Sequence, residues 1–234
     1  MIARTAILIT AFTASSVGAE EVMPWQGEAE LGAVVTSGNT KTQTINAKGK
    51  VVNNRESWKH TLTLEALNNA SDEETTAERY LAAFQSDYKM SDLDYLFVLI
   101  NYEDDRFSGF DYQVSEALGY GRKIINRPDL ALSVEGGPGA RQTKLEDGDS
   151  DNEFMFRLGG FLTWKLSEQA VFGQVLTSDI GEDITITKSI TSLKAQVANN
   201  LAMKVTCTAK HTSDVPPDTK KTDGETALTL VYNF

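Results

Sequence analysis

The amino-acid sequence predicts an all-β fold, an antiparallel up-and-down transmembrane β-barrel of about 12 strands (range 10–12) that follows an N-terminal signal peptide. Two observations lead to this prediction. Apolar and polar residues alternate with a period of two in one segment after another, and turn residues separate the segments. The chain also closes on the stretch "ETALTLVYNF", in which Leu228, Leu230, Tyr232 and Phe234 share one face of a strand. The last residues of a water-soluble domain are usually polar and frayed, so this apolar face favours a membrane strand.

The composition limits the class of partner. The chain has 234 residues, of which 41% are hydrophobic and 24% charged, and its formal net charge is −11. A surface that binds nucleic acid needs clustered Lys and Arg, so we expect no nucleic-acid partner. Beyond the first part of the chain no window approaches the ~18 consecutive apolar residues of a transmembrane helix. Any crossing of a membrane is therefore made by strands.

Residues 1–19 have the features of a secretory signal peptide. Residues 1–4 give a short positive start, 5–17 a weakly apolar run, and 17–19 a small-x-small cleavage site. The alternative is a buried N-terminal helix, but the apolar pattern stops abruptly at Glu20. We expect residues 20–234 to form the mature domain, an outer-membrane β-barrel.

Period-two alternation marks twelve segments of about ten to fourteen residues. They are 25–36, 42–53, 57–68, 78–90, 94–105, 112–125, 129–142, 153–165, 169–179, 184–197, 201–212 and 225–234. The apolar face is clear in the first, third and eighth, for example at Ala29 and Leu31, at Leu62 and Leu64, and at Phe156. The fifth segment contains "YLFVLI" and is apolar on both faces, so its inward face cannot be assigned. No segment is typical of a helix.

The connections between these segments alternate in character. Turn-forming residues occupy the short connections at 53–56, 91–94, 126–129, 166–168 and 198–200. Longer polar links lie between them: "NASDEETTA", "EDDRFSGFDY", "KLEDGDSDNE" and "SDVPPDTKKTDG". Outer-membrane barrels have short turns at the periplasmic end and longer loops outside. Both ends of an even-stranded barrel fall on the short-turn side, which we expect to face the periplasm of a Gram-negative bacterium.

Aromatic residues are predicted to form a girdle at the short-turn end. Trp25 and Trp58 open their strands at that end, and Trp164 closes its strand there. Further rings fall at the same level, namely Tyr88, Tyr95, Tyr232 and Phe234. Amphipathic rings of this kind belong at the bilayer interface. A soluble β-protein would instead scatter them through its core.

The closing strand also predicts partners. The last strand of a barrel pairs with the first, and its lipid-facing side chains must be apolar along its length. A terminal Phe after alternate apolar residues resembles the C-terminal signal by which bacterial outer-membrane barrels are handed to the insertion machinery. The expected partners are outer-membrane lipid and lipopolysaccharide, and the barrel-insertion machinery during assembly. We expect the protein to be a monomer.

The stretch "GEAELGAVVTSGNTKTQTINAKGK" carries a family resemblance. Its Gly-x-Ala-x-Leu-Gly strand, followed by residues 36–42, resembles the opening of the domain-of-unknown-function family 481, described as salt-induced outer-membrane proteins. The later "SEALGYGRKI" and the closing "LVYNF" are similar to that family too, whereas residues 140–185 show little of its pattern. The resemblance implies an outer-membrane β-barrel of undefined molecular activity, with no catalytic residues to transfer.

The residues that could carry catalysis are few. His60 lies on an apolar strand face, His211 lies beside a polar link, and the two belong to different segments. Neither stands in a nucleophile-elbow, zinc-protease or phosphate-loop motif. The lone Cys207 cannot form an internal disulfide and fits a small apolar position better than a catalytic thiol. We therefore expect no enzyme activity and no catalytic residues, although a Ser or Thr beside either histidine leaves a lipid- or peptide-hydrolysing enzyme as an alternative.

The acidic link "EDGDSDNE" invites a metal site because Asp147, Asp149 and Asp151 alternate as in calcium loops. It fails the EF-hand template, since Asn152 stands where the turn glycine is required and Leu158 where the closing Glu belongs. A solvated acidic loop is the preferred interpretation. We expect no metal, no cofactor and no cofactor-binding residues.

The function predicted from these observations is an outer-membrane barrel of undefined activity with a structural, permeability or salt-stress role. Its polar lumen is either a narrow channel or filled by its own side chains. Two alternatives remain: an outer-membrane hydrolase, and a soluble exported β-sandwich or lipocalin-like binding protein.

The first hairpin predicts a register. The apolar faces of its two strands lie on the same side of the sheet only if the numbers of the residues that pair across the hairpin sum to about 78. That register places Glu30 opposite Lys48 and Glu28 opposite Lys50 on the inner wall, where salt bridges are expected. Lys59 on the next strand is expected to extend the row beside Lys50.

Overall fold

The computed structural model describes residues 24–37, 43–71, 74–105, 110–145, 150–215 and 220–234. The strands are β1 (Trp25–Ser37), β2 (Gln43–Asn54), β3 (Trp58–Ser71), β4 (Glu74–Lys89), β5 (Asp94–Asp105), β6 (Phe110–Asn126), β7 (Leu130–Leu145), β8 (Ser150–Lys165), β9 (Ala170–Gly181), β10 (Thr185–Ala198), β11 (Leu201–Thr212) and β12 (Thr222–Asn233). No helix in this described part of the chain is long and apolar enough to cross a membrane. The signal peptide predicted at residues 1–19 lies outside the described residues.

Each strand pairs antiparallel with the next strand along the chain, and β1 pairs with β12 to close the barrel. At the seam the Gly27 amide donates to the Phe234 oxygen at 2.8 Å, and the Phe234 amide donates to the Gly27 oxygen at 2.9 Å. Leu31 stands opposite Leu230 on this seam. The closed twelve-stranded antiparallel barrel confirms the predicted fold class.

Strand ends agree with the prediction at one end of the barrel and extend beyond it at the other. Near the short turns the bounds differ by at most one residue. At the opposite end β4 begins at Glu74 rather than 78, β7 ends at Leu145 rather than 142, and β8 begins at Ser150 rather than 153. Many residues that were predicted to lie in long links therefore belong to paired strands. Between β3 and β4, for example, the strand bounds leave only residues 72–73. The polar residues at this end stop alternating in hydropathy, although their backbones continue to pair.

The short turns are held by local hydrogen bonds. The Ser91 Oγ accepts from the Asp94 amide at 2.9 Å, and the Ser167 Oγ accepts from the Ala170 amide at 3.1 Å. Backbone bonds close the same turns, as between the Leu166 amide and the Ala170 oxygen at 2.9 Å. Serine side chains that bond their own backbone in this way favour turns over continued strand.

The outer face of the barrel is apolar. Leu31 is 65% exposed and Leu118 is 62% exposed, and exposed apolar residues recur on the outward positions of the other strands. A surface of this kind fits lipid rather than water. At the short-turn end the predicted girdle is present on the exposed face, formed by Trp25, Trp58, Tyr88, Trp164, Tyr232 and Phe234.

Tyr95 was wrongly assigned to the girdle. Its ring points into the barrel and is 9% exposed, while the outward position at this level belongs to Tyr120, whose hydroxyl bonds Asp94. On β5 the odd-numbered residues Tyr95, Phe97 and Leu99 are buried inside, and the even-numbered ones face outward. The structure thus assigns the inward face that the sequence of this strand left open.

Candidate functional site in the barrel lumen

The inner wall of the barrel is rich in charged side chains. Those with ion partners across the wall or the lumen are Glu28, Glu30, Lys48, Lys59, Glu65, Arg79, Asp87, Glu103, Glu135, Arg141, Glu153, Arg157, Asp179, Lys194, Lys204, Lys210 and Glu225. Acidic and basic groups are interspersed, because an unpaired charge in a partly dehydrated interior is costly. The lumen contains most of the ion-paired side chains of the described residues, so it is the candidate functional site.

The register of the first hairpin is confirmed. Glu28 stands opposite Lys50 and Glu30 opposite Lys48, and Glu30 is buried inside the barrel. Ala29 and Leu31 face outward, as predicted. The inward and outward assignment of the first two strands is therefore correct.

The salt bridges expected from that register are wrong. Glu28 pairs with Lys194 of β10 at 2.5 Å, and Glu30 pairs with Lys204 of β11 at 2.8 Å. Lys48 forms a salt bridge with Glu65, the residue that stands opposite it on β3. Inward side chains converge on the barrel axis, so long lysines reach strands that are not neighbours in the sheet. The pairing is set by the closure of the barrel rather than by the ladder alone.

Lys59 does not extend a row beside Lys50. Its backbone stands opposite Asn54, and Thr63 is the β3 residue opposite Lys50. The Lys59 ammonium instead pairs with Asp87 of β4 at 3.2 Å.

Among the residues that the structure describes, two ion pairs join strands four or more apart across the lumen. Glu103 of β5 meets Lys210 of β11 at 2.9 Å, and these strands are six strands apart whichever way round the barrel they are counted. Arg79 of β4 meets Glu225 of β12 at 2.9 Å, four strands away. We call these two contacts the cross-lumen pairs. Each pair places charged side chains across the lumen.

A second charged group gathers around Glu135 on β7. Its carboxylate accepts from the Gln85 amide at 3.2 Å and from the Tyr95 hydroxyl at 3.3 Å. Arg157 of β8 lies 4.0 Å away and forms a two-point contact with Asp179 of β9, at 2.8 and 2.9 Å. Glu135 is thus held from strands on both sides, which fixes its position on the wall.

An apolar cluster fills part of the interior. It consists of Tyr95, Phe97 and Leu99 of β5, Ala117 of β6 and Met155 of β8. Glycine makes room for it, since a Cβ on Gly121 would lie 2.1 Å from the Tyr95 ring. The signal for this cluster was present in the two-sided apolar pattern of "YLFVLI", which left its inward face unassigned.

The β9–β10 turn is bound to the barrel wall by one buried pair. Arg141 is 1% exposed, and its Nε donates to Glu153 at 2.8 Å. The other Glu153 oxygen accepts from the Asp183 amide at 3.2 Å, and Arg141 donates to the Ile184 oxygen at 2.5 Å. Sequence analysis missed this pair; its only signal was charge at inward positions of the strands.

Seven described lysines with inward register lie on β2, β3, β10 and β11, namely Lys48, Lys50, Lys59, Lys188, Lys194, Lys204 and Lys210. These strands are contiguous through β12 and β1 in the closed sheet. Two of the lysines, Lys50 and Lys188, have no carboxylate of the described residues within salt-bridge distance. Both nevertheless lie within electrostatic range of acidic groups, Lys50 of Glu28 and Lys188 of Glu103.

The residues considered for catalysis are not brought together. His60 faces outward, between the rings of Trp58 and Phe84, and its Nδ1 is 3.0 Å from the Ser86 hydroxyl. His211 is exposed and is bonded to Thr222 at 2.8 Å. His60 lies near the short-turn end of β3 and His211 near the opposite end of β11, so the two histidines lie toward opposite ends of the barrel. Cys207 is exposed on the outer face.

The acidic link that was considered as a metal site lies only partly within the described residues. Asp147 and Asp149 lie outside the described residues, while Asp151 belongs to β8. Within the described ranges, no group of three or more His, Cys, Asp or Glu side chains could hold a metal ion.

Comparison with known proteins gives the family. Residues 29–234 match the family described as "Protein of unknown function, DUF481". The chain belongs to this family. It is also similar to the uncharacterized protein YdiY of Escherichia coli strain K12, with 29% identity over 224 residues that cover 95% of this chain and 88% of YdiY.

Solved porins share the fold. The NanC porin aligns with a TM-score of 0.60 and 10% identity, covering 87% of this chain and 98% of NanC. The KdgM porin, solved in complex with disordered oligogalacturonate, aligns with a TM-score of 0.52 and 10% identity, covering 88% of this chain and 99% of KdgM. At this identity the likeness concerns the fold alone. This DUF481 member therefore has the closed-barrel fold of outer-membrane porins.

Proposed function

We propose that this protein is a narrow channel of the Gram-negative outer membrane, closed at rest by the cross-lumen pairs Glu103–Lys210 and Arg79–Glu225. The observation that carries the proposal is that these ion pairs join strands four and six strands apart across the lumen. Side chains change rotamer on a nanosecond timescale, whereas a wall of backbone would not move aside. The barrier across the lumen is therefore one that can open.

The strength of the cross-lumen pairs supports an intermittent opening. In each pair the cation is 21% exposed and the carboxylate 14%, so both retain some contact with solvent. Partly hydrated pairs are weaker than dry ones, and dissolved ions screen them further. The proposed channel is thus of low conductance, with brief openings that become more frequent as ionic strength rises.

A role in permeability during salt stress belongs to the same proposal. Screening by salt would weaken the pairs that hold the lumen closed, which links the closure to the ionic strength of the surroundings. The proposal contains no catalytic step. It places lipid and lipopolysaccharide against the apolar outer face, the insertion machinery as a partner during assembly, and a monomer as the working unit.

Single-channel recording in planar bilayers tests the proposal. We expect brief, small conductance steps from the wild type and larger, longer steps from the variant Glu103→Ala/Lys210→Ala, in which both members of one pair are removed. Removing both avoids leaving a lone charge inside the barrel. Arg127→Ala/Asp129→Ala is the matched control, because this exposed pair lies in a short turn outside the lumen.

The control variant is expected to conduct like the wild type. Recordings in which neither the wild type nor the Glu103→Ala/Lys210→Ala variant produces steps, although both migrate as folded barrels, would overturn the channel. Equal conductance in the wild type and that variant would overturn closure by this pair.

A further inference from the structure

Two cations at the short-turn end of the barrel lack acidic partners among the described residues. Arg55 is exposed in the turn between β2 and β3, and Lys89 is the last residue of β4. The Lys89 ammonium donates to the Asn54 side-chain oxygen at 2.7 Å and to the Arg55 backbone oxygen at 2.5 Å, so the two residues are neighbours. Asp87, two residues earlier on β4, pairs instead with Lys59 at 3.2 Å. We call Arg55 and Lys89 the rim cations.

Other cations at this end of the barrel are balanced by a neighbouring acid. Arg122 pairs with Asp94 and Arg127 pairs with Asp129, each at 3.2 Å. The turn that carries the first rim cation contains a single acid, Glu56, which is exposed. Two cations and one carboxylate leave one net positive charge at this point of the rim. A ligand with one negative charge would therefore neutralise the group.

A buried amide donor lies beside the rim cations. Asn53 stands opposite Trp25 on β1 and opposite His60 on β3, so its side chain shares their outer face. It is 7% exposed, and its Oδ1 accepts from the Arg55 Nε at 3.3 Å. Its Nδ2 has no hydrogen-bond partner in the described part of the chain. A buried donor without a partner is costly, and the exposed Arg55 side chain can change rotamer to admit an oxygen atom to it.

The outer face next to these polar groups is suited to acyl chains. Trp25 and Trp58 are exposed members of the aromatic girdle, and such rings lie at the level of lipid headgroups. Beyond Trp58 the outward positions of β3 continue through His60 to Leu62 and Leu64, which are exposed. A molecule with a phosphate at the rim and an acyl chain along β3 would contact both kinds of surface.

We propose that Arg55, Lys89 and Asn53 bind the headgroup of a phospholipid with one net negative charge, of the phosphatidylglycerol class, in the leaflet at the short-turn end. The terminal nitrogens of Arg55 and the third donor of the Lys89 ammonium bind the phosphodiester. Asn53 Nδ2 donates to an ester oxygen, and one acyl chain lies along Leu62 and Leu64. This inference rests on the membrane location within the proposed function, but not on conduction through the lumen.

Native mass spectrometry of the purified protein in neutral detergent, titrated with dioleoylphosphatidylglycerol, tests this site. We expect the wild type to bind its first phosphatidylglycerol at least roughly fivefold more tightly than dioleoylphosphatidylcholine, whose phosphate is balanced by its own ammonium. Arg55→Gln/Lys89→Gln should weaken phosphatidylglycerol binding roughly tenfold and remove the preference, because charge-assisted hydrogen bonds are lost. Arg127→Gln is the matched control, since this cation already has an acidic partner, and it should bind like the wild type.

Two further measurements separate the parts of the site. Asn53→Leu removes a donor that either lipid can use, so it should weaken both lipids to a similar extent. Glycerophosphoglycerol has the phosphodiester without acyl chains and should not displace phosphatidylglycerol.

Equal first-site affinities of the wild type for the two lipids, unchanged phosphatidylglycerol binding by Arg55→Gln/Lys89→Gln, unchanged lipid binding by Asn53→Leu, or displacement by glycerophosphoglycerol would each overturn the proposed site. Heat-modifiable gel migration establishes that each variant is folded. Wild-type protein that does not migrate as a folded barrel would overturn the membrane location and this site together. Selective lipid binding by a protein that does not conduct would overturn the channel and support the lipid site.

Discussion

Glu103 and Lys210 stand on strands that face each other across the closed barrel, and their charged groups meet at 2.9 Å inside it. The contact joins two walls that have no backbone hydrogen bond in common. It is therefore a tertiary brace, and in the proposed channel it also closes the lumen.

Removing one member of this brace is expected to cost more than removing both. Lys210→Met leaves the Glu103 carboxylate without its partner and should lower the free energy of unfolding by about 1–3 kcal/mol. Adding Glu103→Gln should restore part of that loss, because the isolated charge is gone. Urea unfolding in detergent, followed by tryptophan fluorescence, measures both. A double variant whose loss equals the sum of the two single losses would show that the groups are not coupled.

Arg141→Leu is expected to loosen the β9–β10 turn. The variant leaves Glu153 buried and unpaired, so we expect a loss of about 3–5 kcal/mol in unfolding free energy. The turn also loses its bond from Arg141 to Ile184. A glutamate-specific protease should therefore cleave after Glu182 faster than in the wild type. Arg127→Leu breaks an exposed pair and should change stability by no more than about 0.5 kcal/mol; equal cleavage of the two variants would contradict the role of Arg141.

Gly137→Ala is expected to disturb the wall between β6 and β7. A Cβ at this position would lie 2.0 Å from the Leu118 backbone oxygen, so the strands must separate. We expect a loss of about 1–3 kcal/mol. Gly49→Ala is the matched control, since a Cβ there meets nothing within 4 Å. The temperature at which each variant loses its folded gel mobility gives the comparison, and equal temperatures would contradict the close approach.

The histidines are expected to be dispensable. His60→Ala and His211→Ala should leave the behaviour of the protein in vesicles unchanged, because the two side chains lie apart and face different surroundings. Incubation with phospholipid vesicles or a peptide substrate should give no turnover above background. Turnover by the wild type that either variant abolished would establish the hydrolase alternative in place of this expectation.

Export and processing give a prediction about mass and location. Protein isolated from cell envelopes should have the mass of residues 20–234 and fractionate with the outer membrane, and its gel mobility should change on heating, because the closed ladder resists detergent. An intact N-terminus would contradict cleavage after Ala19. Recovery as a soluble periplasmic protein would contradict the membrane location.

Local periodicity was enough to predict the strands and their orientation. In β1 the alternation of Glu28 and Glu30 with Ala29 and Leu31 gave the inward face, and matching it to β2 gave the register. These quantities depend on neighbouring residues and on one hairpin, which a single sequence displays. In β5 the same method failed, because Phe97 on the inner cluster is as apolar as its outward neighbours.

The ion partners could not be predicted in this way. Glu30 was expected to pair with Lys48 on the adjacent strand, but it meets Lys204 near the other end of the chain. Which lysine reaches which carboxylate depends on the curvature of the closed sheet and on the side chains that already occupy the interior. Neither is visible in the hydropathy of any one strand. The candidate site was therefore predictable as a polar inner wall, but not as a set of contacts.

Apolar side chains and lysines occupy different strands of the barrel interior. The apolar cluster around Phe97 and Met155 belongs to β5, β6 and β8, whereas Lys50 and Lys188, which have no salt bridge among the described residues, belong to β2 and β10. A substitution at Phe97 therefore changes apolar packing, while a substitution at Lys50 or Lys188 changes the charge of the lumen and leaves the apolar cluster untouched.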